Sequence, residues 1–230
     1  MAIPLYLAMT GMEAIYASVM PPKMAWLSCL FSPYSMGVSN LPKQLPPDAL
    51  LILSDRTPIY GHDPHLIRSQ LEEVITRFSC SGLLLDFQMP GSDELKKLAK
   101  FLLELPCPVA VSEAYARDLP CPVFLPPVPP DTTSESYLSP WSGREIWLEM
   151  ALDVMAVEVT EQGIRRSEAL AYELPSAPFY DEALCCHYGI TVSDRITFHL
   201  QRQRSDLDTL LARAEASGVT KAVGLYQELG

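Results

Sequence analysis

The sequence contains no apolar run of about 18 residues, the length that a membrane-spanning helix requires. It is also poor in positive charge, because 17 Lys and Arg stand against 28 Asp and Glu, for a net charge of −11. Nucleic acids and anionic membranes bind basic surfaces, so neither is an expected partner. Residues 1–20 lack the basic start of a secretion signal and include Glu13, so we expect a cytoplasmic protein.

Motifs for several common chemistries are missing as well. The six cysteines show no Cys-x-x-Cys spacing, so we expect reduced, buried thiols rather than a zinc site or a disulfide framework. The chain has no Gly-rich phosphate loop and no Gly-x-Ser-x-Gly motif, and we expect no cofactor. The segment His62-Asp63-Pro64-His65 contains metal-ligand types, but Asp63 followed by Pro64 is typical of a helix start. We therefore expect no metal site there.

What the sequence does contain is sufficient for a substantial core. It has 230 residues, of which 48% are hydrophobic and 20% charged, as in ordinary globular proteins. Single α/β barrels occur from about 200 residues upward. Residues 126–140 are rich in Pro, Ser and Thr and form the one candidate linker or long surface loop. We expect one domain covering residues 1–230.

The stretch Ser81–Pro90 has the pattern of a buried parallel strand. It is apolar through Leu85, becomes polar only at its C-terminal end, and is stopped by Met89-Pro90-Gly91. Side chains alternate across a strand, so Leu84, Asp86 and Gln88 share one face. The sequence therefore predicts that Asp86 and Gln88 emerge together at the carboxyl end of the strand, where α/β folds place ligands and catalysis.

Similar apolar segments recur along the chain and predict the fold. Strands are predicted at 3–9, 25–31, 50–55, 81–90, 107–111, 121–125, 196–200 and 222–226. Helices are predicted from Pro64, from Ser92 or Asp93, and from a capping box formed by Ser205 and Asp208. The alternating pattern of residues 145–166 predicts an antiparallel β insertion. We expect a compact (β/α)8-like, TIM-type α/β barrel, with an open doubly wound sheet as the alternative.

The central strand also resembles the signature strand of the family-eighteen glycoside hydrolases, the chitinase-like barrels. The pattern of that family is Asp-Gly-x-Asp-x-Asp-x-Glu, often followed by an aromatic residue and Pro. Gly82, Asp86 and Pro90 match this pattern, and the match covers about ten residues. Ser81 and Leu84 replace the first two aspartates. Gln88 replaces the glutamate that these enzymes use as general acid.

The resemblance implies a saccharide site at the barrel mouth that has lost its proton donor. Gln88 has no titratable proton, so a catalytically inactive barrel that binds a saccharide or related small molecule is the first hypothesis, beside a purely structural role. Aromatic faces and polar side chains suit sugar rings. The candidate ligand-binding residues are Gln88, Tyr115, Trp26, Tyr226, Arg56 and His62.

An active glycoside hydrolase with relocated carboxylates is the alternative hypothesis. The candidate catalytic residues are Asp86 with Glu113 or Asp55, since each follows or ends a predicted strand. A separation of roughly 5–5.5 Å between two carboxyls suits a retaining mechanism, and 6.5–9.5 Å an inverting one. The alternating faces of residues 146–149 also make a homodimer a candidate assembly.

Overall fold

The computed structural model describes residues 3–59, 61–168, 174 and 178–230. The first half of the chain contains β1 (Leu5–Met9), α1 (Gly11–Tyr16), β2 (Met24–Phe31), β3 (Val38–Ser39), β4 (Leu50–Ser54), α2 (Pro64–Phe78), β5 (Gly82–Asp86), α3 (Asp93–Leu102), β6 (Val109–Ser112) and α4 (Glu113–Ala116). The second half contains β7 (Val123–Leu125), α5 (Ser134–Leu138), a 3-10 turn (Ser139–Trp141), β8 (Ile146–Met150), β9 (Val154–Thr160), β10 (Gly163–Glu168), β11 (Phe179–Asp181), β12 (Cys186–Val192), β13 (Ile196–Gln201), α6 (Arg204–Ala216), β14 (Val219–Leu225) and α7 (Tyr226–Leu229).

Within the described residues, eight parallel strands close into a barrel. Their order is β1-β2-β4-β5-β6-β7-β8-β14, and β14 returns to pair with β1. The short strand β3 adds to β2 in antiparallel orientation. The predicted TIM-type α/β barrel is therefore confirmed, and the open doubly wound sheet is not the fold.

The helix starts follow local capping chemistry. The carboxylate of Asp63 accepts a hydrogen bond from the His65 backbone N–H, with Pro64 in the first turn, and Ser92 caps α3. Both starts agree with the sequence prediction. In α6 the capping box consists of Gln203 and Asp206, two residues before the predicted Ser205 and Asp208 pair. The start differs because Asp206 is buried and also contacts His187, a partner distant in sequence.

The antiparallel insertion lies later in the chain than predicted. Strands β9 to β13, residues 154–201, form a five-stranded antiparallel sheet between barrel strands β8 and β14. Ile146–Met150, predicted to begin the insertion, is a parallel barrel strand, and Ile196–Gln201, predicted as a barrel strand, belongs to the insertion. Successive side chains of β8 point alternately into the barrel interior and into the outer core. Both sides are buried, so the alternation does not mark a strand with one solvent-exposed face.

Two apolar cores follow from barrel closure. The interior core contains Leu50, Leu84, Phe124 and Trp147, and the larger outer core lies between strands and helices. Gly82 is required at the base of β5, because a Cβ there would lie 2.6 Å from the Trp147 ring. The glycine of the signature pattern thus makes room for the largest side chain of the interior.

Several remaining predictions concern exposure and cysteine state. All six cysteines are free thiols.

The segment 126–140 contains α5 and buries Val128 and Leu138, so it packs on the barrel instead of extending as a linker. Both faces of β8 are largely buried, and the homodimer stays a prediction. In the described part of the chain, every helix is too short or too polar to cross a bilayer.

Candidate functional site at the barrel mouth

A small cavity opens at the carboxyl ends of the barrel strands. Its volume is about 110 Å³. The polar side chains that line it are Arg56, Asp86, Gln88 and Glu149, and they meet apolar residues from the barrel interior such as Leu84. A cavity of this size is smaller than typical drug-sized ligand pockets of about 300–1,000 Å³, so it suits one polar group of a larger ligand.

Asp86 and Gln88 lie together at this cavity, as the alternation of β5 predicts. Leu84 points into the interior core, whereas Leu83, Leu85 and Phe87 pack in the outer core. The Gln88 Nε2 donates a hydrogen bond of 3.3 Å to Asp86 Oδ1. Burial raises the pKa of the Asp86 carboxyl above its usual value, while the Gln88 hydrogen bond and the charge of Arg56 act in the opposite direction.

Glu149 is a further carboxyl of the cavity and is not among the site residues predicted from the sequence. It lies at the end of β8, two residues after Trp147, and both side chains point inward. Burial raises the pKa of Glu149 to about 7, and the charges of Asp86, Asp153 and Glu228 add to this effect. A polar residue near the carboxyl end of an apolar strand is the signal for such a carboxyl, but the sequence pattern predicts that this strand belongs to the insertion.

Asp55 lies beside the site but its carboxylate binds backbone. Its Oδ1 accepts a hydrogen bond of 2.9 Å from the Gln88 N–H, and its Oδ2 accepts one of 2.7 Å from the Met89 N–H. The side chain is buried, which makes these bonds structurally important. Asp55 therefore holds the loop that follows β5 and positions Gln88 at the cavity.

Tyr115 secures the same loop from the other side. Its hydroxyl donates to the Met89 carbonyl and accepts from the Ser92 N–H, and its ring lies edge-on to Phe87. The ring belongs to the outer core, away from the cavity lining. Tyr115 thus stabilises the loop after β5 from the outer core.

The other predicted site residues lie apart from the cavity lining. Glu113 is exposed at the first turn of α4, and Tyr226 begins α7. Trp26 faces outward from β2, donates to the Asn40 carbonyl, and lines a separate surface groove with α1. Of the nine candidates, the structure brings Arg56, Asp86 and Gln88 together at the cavity.

His62 and Asp63 have structural contacts near the start of α2. His62 Nε2 lies 2.9 Å from the Ser32 carbonyl oxygen, and the ring packs against Phe31. Asp63 caps α2. Across the residues that the structure describes, no group of three or more His, Cys, Asp or Glu side chains is arranged to hold a metal ion.

Comparisons with solved structures identify the fold. A glycoside hydrolase family 18 N-acetylglucosaminidase from Paenibacillus barengoltzii superposes with a TM-score of 0.63 at 9% identity, covering 98% of this chain and 95% of that one. A chitinase-like agglutinin from Robinia pseudoacacia gives 0.61 at 12% identity, covering 97% and 94%. The chain has the fold of the chitinase-like barrels.

A third solved structure has the same fold and contains a saccharide. It is a family 18 chitinase from Cycas revoluta in complex with (GlcNAc)3, with a TM-score of 0.57 at 10% identity, covering 97% of this chain and 94% of that one. By sequence, no protein-family model and no curated protein matches this chain. At these identities the similarity establishes the barrel fold, and residue roles depend on the site itself.

Proposed function

We propose that the barrel binds a saccharide or a related small molecule at its mouth and does not hydrolyse it. The observation that carries the proposal is the pairing of Asp86 with Gln88 at the cavity. The amide of Gln88 can donate and accept hydrogen bonds, as sugar hydroxyl and acetamido groups require. It has no proton to transfer, and general acid catalysis typically contributes about 10²- to 10⁴-fold in rate.

The similar structures give independent support for this ligand class. One is described as an agglutinin with a chitinase-like fold, and another holds (GlcNAc)3. Those ligands and activities are properties of those proteins. For this chain they indicate N-acetylglucosamine oligomers as the first probes to test.

The test combines a binding assay and a hydrolysis assay. We expect N-acetylglucosamine oligomers to bind the natural chain by calorimetry, and chromogenic oligomers to remain intact. Gln88→Glu restores a titratable group at the position of Gln88, so measurable hydrolysis in this variant alone would support loss of an ancestral acid. Absence of binding to any oligomer would refute the proposal and leave a structural role.

A hydrolase with relocated acids is the second candidate, and one observation favours a form of it. Asp86 shares the cavity with Glu149, whereas Asp55 is bound to two backbone N–H groups and Glu113 lies outside the lining. Hydrolysis by the natural chain that disappears in Glu149→Gln and survives in Glu113→Gln would establish this candidate. Loss of activity in Glu113→Gln would instead support the pair of Asp86 and Glu113.

A further inference from the structure

The two carboxyls of the cavity have different surroundings. Asp86 accepts the hydrogen bond from Gln88 and is stabilised in its charged form by Arg56. For Glu149, burial and the charges of Asp86, Asp153 and Glu228 all act against ionisation. Two half-buried carboxyls that line one cavity are not both ionised without cost, and the proton stays on the one whose surroundings all oppose its ionisation. That carboxyl is Glu149.

The groups that face Glu149 are mainly acidic. Asp86 comes from β5, Asp153 follows β8, and Glu228 comes from α7. The cation in the cavity lining is Arg56, which acts on Asp86. Tyr137 of α5 is a further titratable neighbour, and burial together with the charges of Glu113 and Glu149 raises its pKa to about 12. From the adjacent strands β7 and β14, the cavity lining is apolar or glycine.

We propose that Glu149, in its protonated form, donates a hydrogen bond to a saccharide bound at the barrel mouth and so makes binding dependent on pH. The inference rests on the proposed function, since it names the regulation of that same site. Gln88 supplies an amide and Asp86 supplies a hydrogen-bond acceptor. Protonated Glu149 adds an O–H donor, which would be missing if both carboxyls were ionised. The ligand class is a neutral saccharide with hydroxyl or acetamido oxygens.

The direction of the pH effect follows from the two forms of Glu149. Its pKa is raised to about 7, so the donor is present below that pH and lost above it. Ionisation also puts a second negative charge beside Asp86, which increases the cost of excluding water when a neutral ligand binds. The association constant therefore decreases as the pH rises, by roughly three- to tenfold for one hydrogen bond.

Calorimetric titration with tetra-N-acetylglucosamine between pH 5.5 and 8.5 tests the proposal. We expect the association constant of the natural chain to fall across this range. In Glu149→Gln, whose amide donates at every pH, it should remain nearly constant. Glu161→Gln, which removes one charge from an exposed turn of the insertion, is the matched control and should keep the pH dependence of the natural chain.

The outcomes separate this inference from the proposed function. Binding that is independent of pH, or a pH dependence that persists in Glu149→Gln, would overturn the inference and leave saccharide binding intact. No binding at any pH would overturn both. As a test without mutation, carbon-13 NMR of the Glu149 carboxyl should show a higher pKa with saturating ligand, because the ligand favours the protonated form. An unchanged pKa would also overturn the inference.

Discussion

Asp86 and Glu149 line the same cavity although their strands, β5 and β8, are separated by two others in the barrel. Each side chain is directed inward by the alternation of its own strand, and only closure of the sheet brings them together. The negative charge of Asp86 contributes to the raised pKa of Glu149. This relationship leads to two predictions about protonation.

The first prediction concerns the stability of Glu149→Gln. Because the pKa of Glu149 is raised to about 7 in the folded protein, the folded state holds more protons than the unfolded state between pH 4.5 and 7. The natural chain therefore loses stability as the pH rises through this window. The variant should be more stable at pH 8, by up to about 3 kcal/mol, and nearly equal at pH 4. Urea unfolding at both pH values measures this difference, and an equal difference at both would contradict it.

The second prediction is that Asp86→Asn lowers the pKa of Glu149. The variant removes a nearby negative charge, but burial, the larger cause of the shift, remains. The pKa should therefore fall below that of the natural chain while staying above the ordinary value of 4.5. NMR titration of the Glu149 carboxyl measures it. A pKa equal to that of the natural chain would show that the two carboxyls do not interact.

The third prediction concerns the loop after β5. Asp55→Asn retains an oxygen that can accept one backbone hydrogen bond but replaces the other oxygen with a donor. We expect a loss of about 1–3 kcal/mol in the free energy of unfolding. Hydrogen exchange of the Gln88 and Met89 amides should become faster, because these are the groups that Asp55 holds. The control is Asp208→Asn on the exposed side of α6, where exchange of the same two amides should not change.

The fourth prediction concerns the contact between the insertion and the barrel. The guanidinium of buried Arg202 donates to the carbonyls of Val128 and Pro129 on the barrel side and of Leu184 in the insertion. Arg202→Met fills the space but leaves these carbonyls without their donor. Thermal or urea unfolding should show a loss of about 2–4 kcal/mol. Arg195→Met, which breaks an exposed pair with Glu158, should cost less than about 1 kcal/mol. Equal effects would contradict the prediction.

The central strand could be predicted because its signals are local. An apolar run, a period of two and the stop at Met89-Pro90 all lie within ten residues, and they suffice to direct Asp86 and Gln88 inward. Capping of α2 by Asp63 is equally local. These features do not depend on which strands become neighbours, so sequence alone predicts them.

Glu149 could not be predicted, because its strand has two explanations. The alternation of side chains in residues 146–150 has two explanations. It fits an antiparallel strand with one solvent-exposed face, and it fits a barrel strand with Trp147 and Glu149 pointing inside. Only the pairing partners, which are distant in sequence, distinguish them. The opposite error occurs at residues 196–200, which are predicted as a barrel strand but belong to the insertion. The two errors cancel, so the predicted number of barrel strands equals the observed number. The sequence predicts Asp55 as catalytic for a similar reason, since the backbone N–H groups that it binds lie in another loop.

The insertion leaves and rejoins the barrel at one point, because the Arg202 N–H donates to the Asp153 carbonyl at 3.2 Å. Barrel closure depends on β8 and β14, which pair directly with each other, and not on the residues between those two ends. Mutations in the hairpins of the antiparallel sheet can therefore accumulate without altering the geometry of Asp86 and Glu149. The insertion can therefore change in sequence while the positions of Asp86 and Glu149 at the barrel mouth are kept.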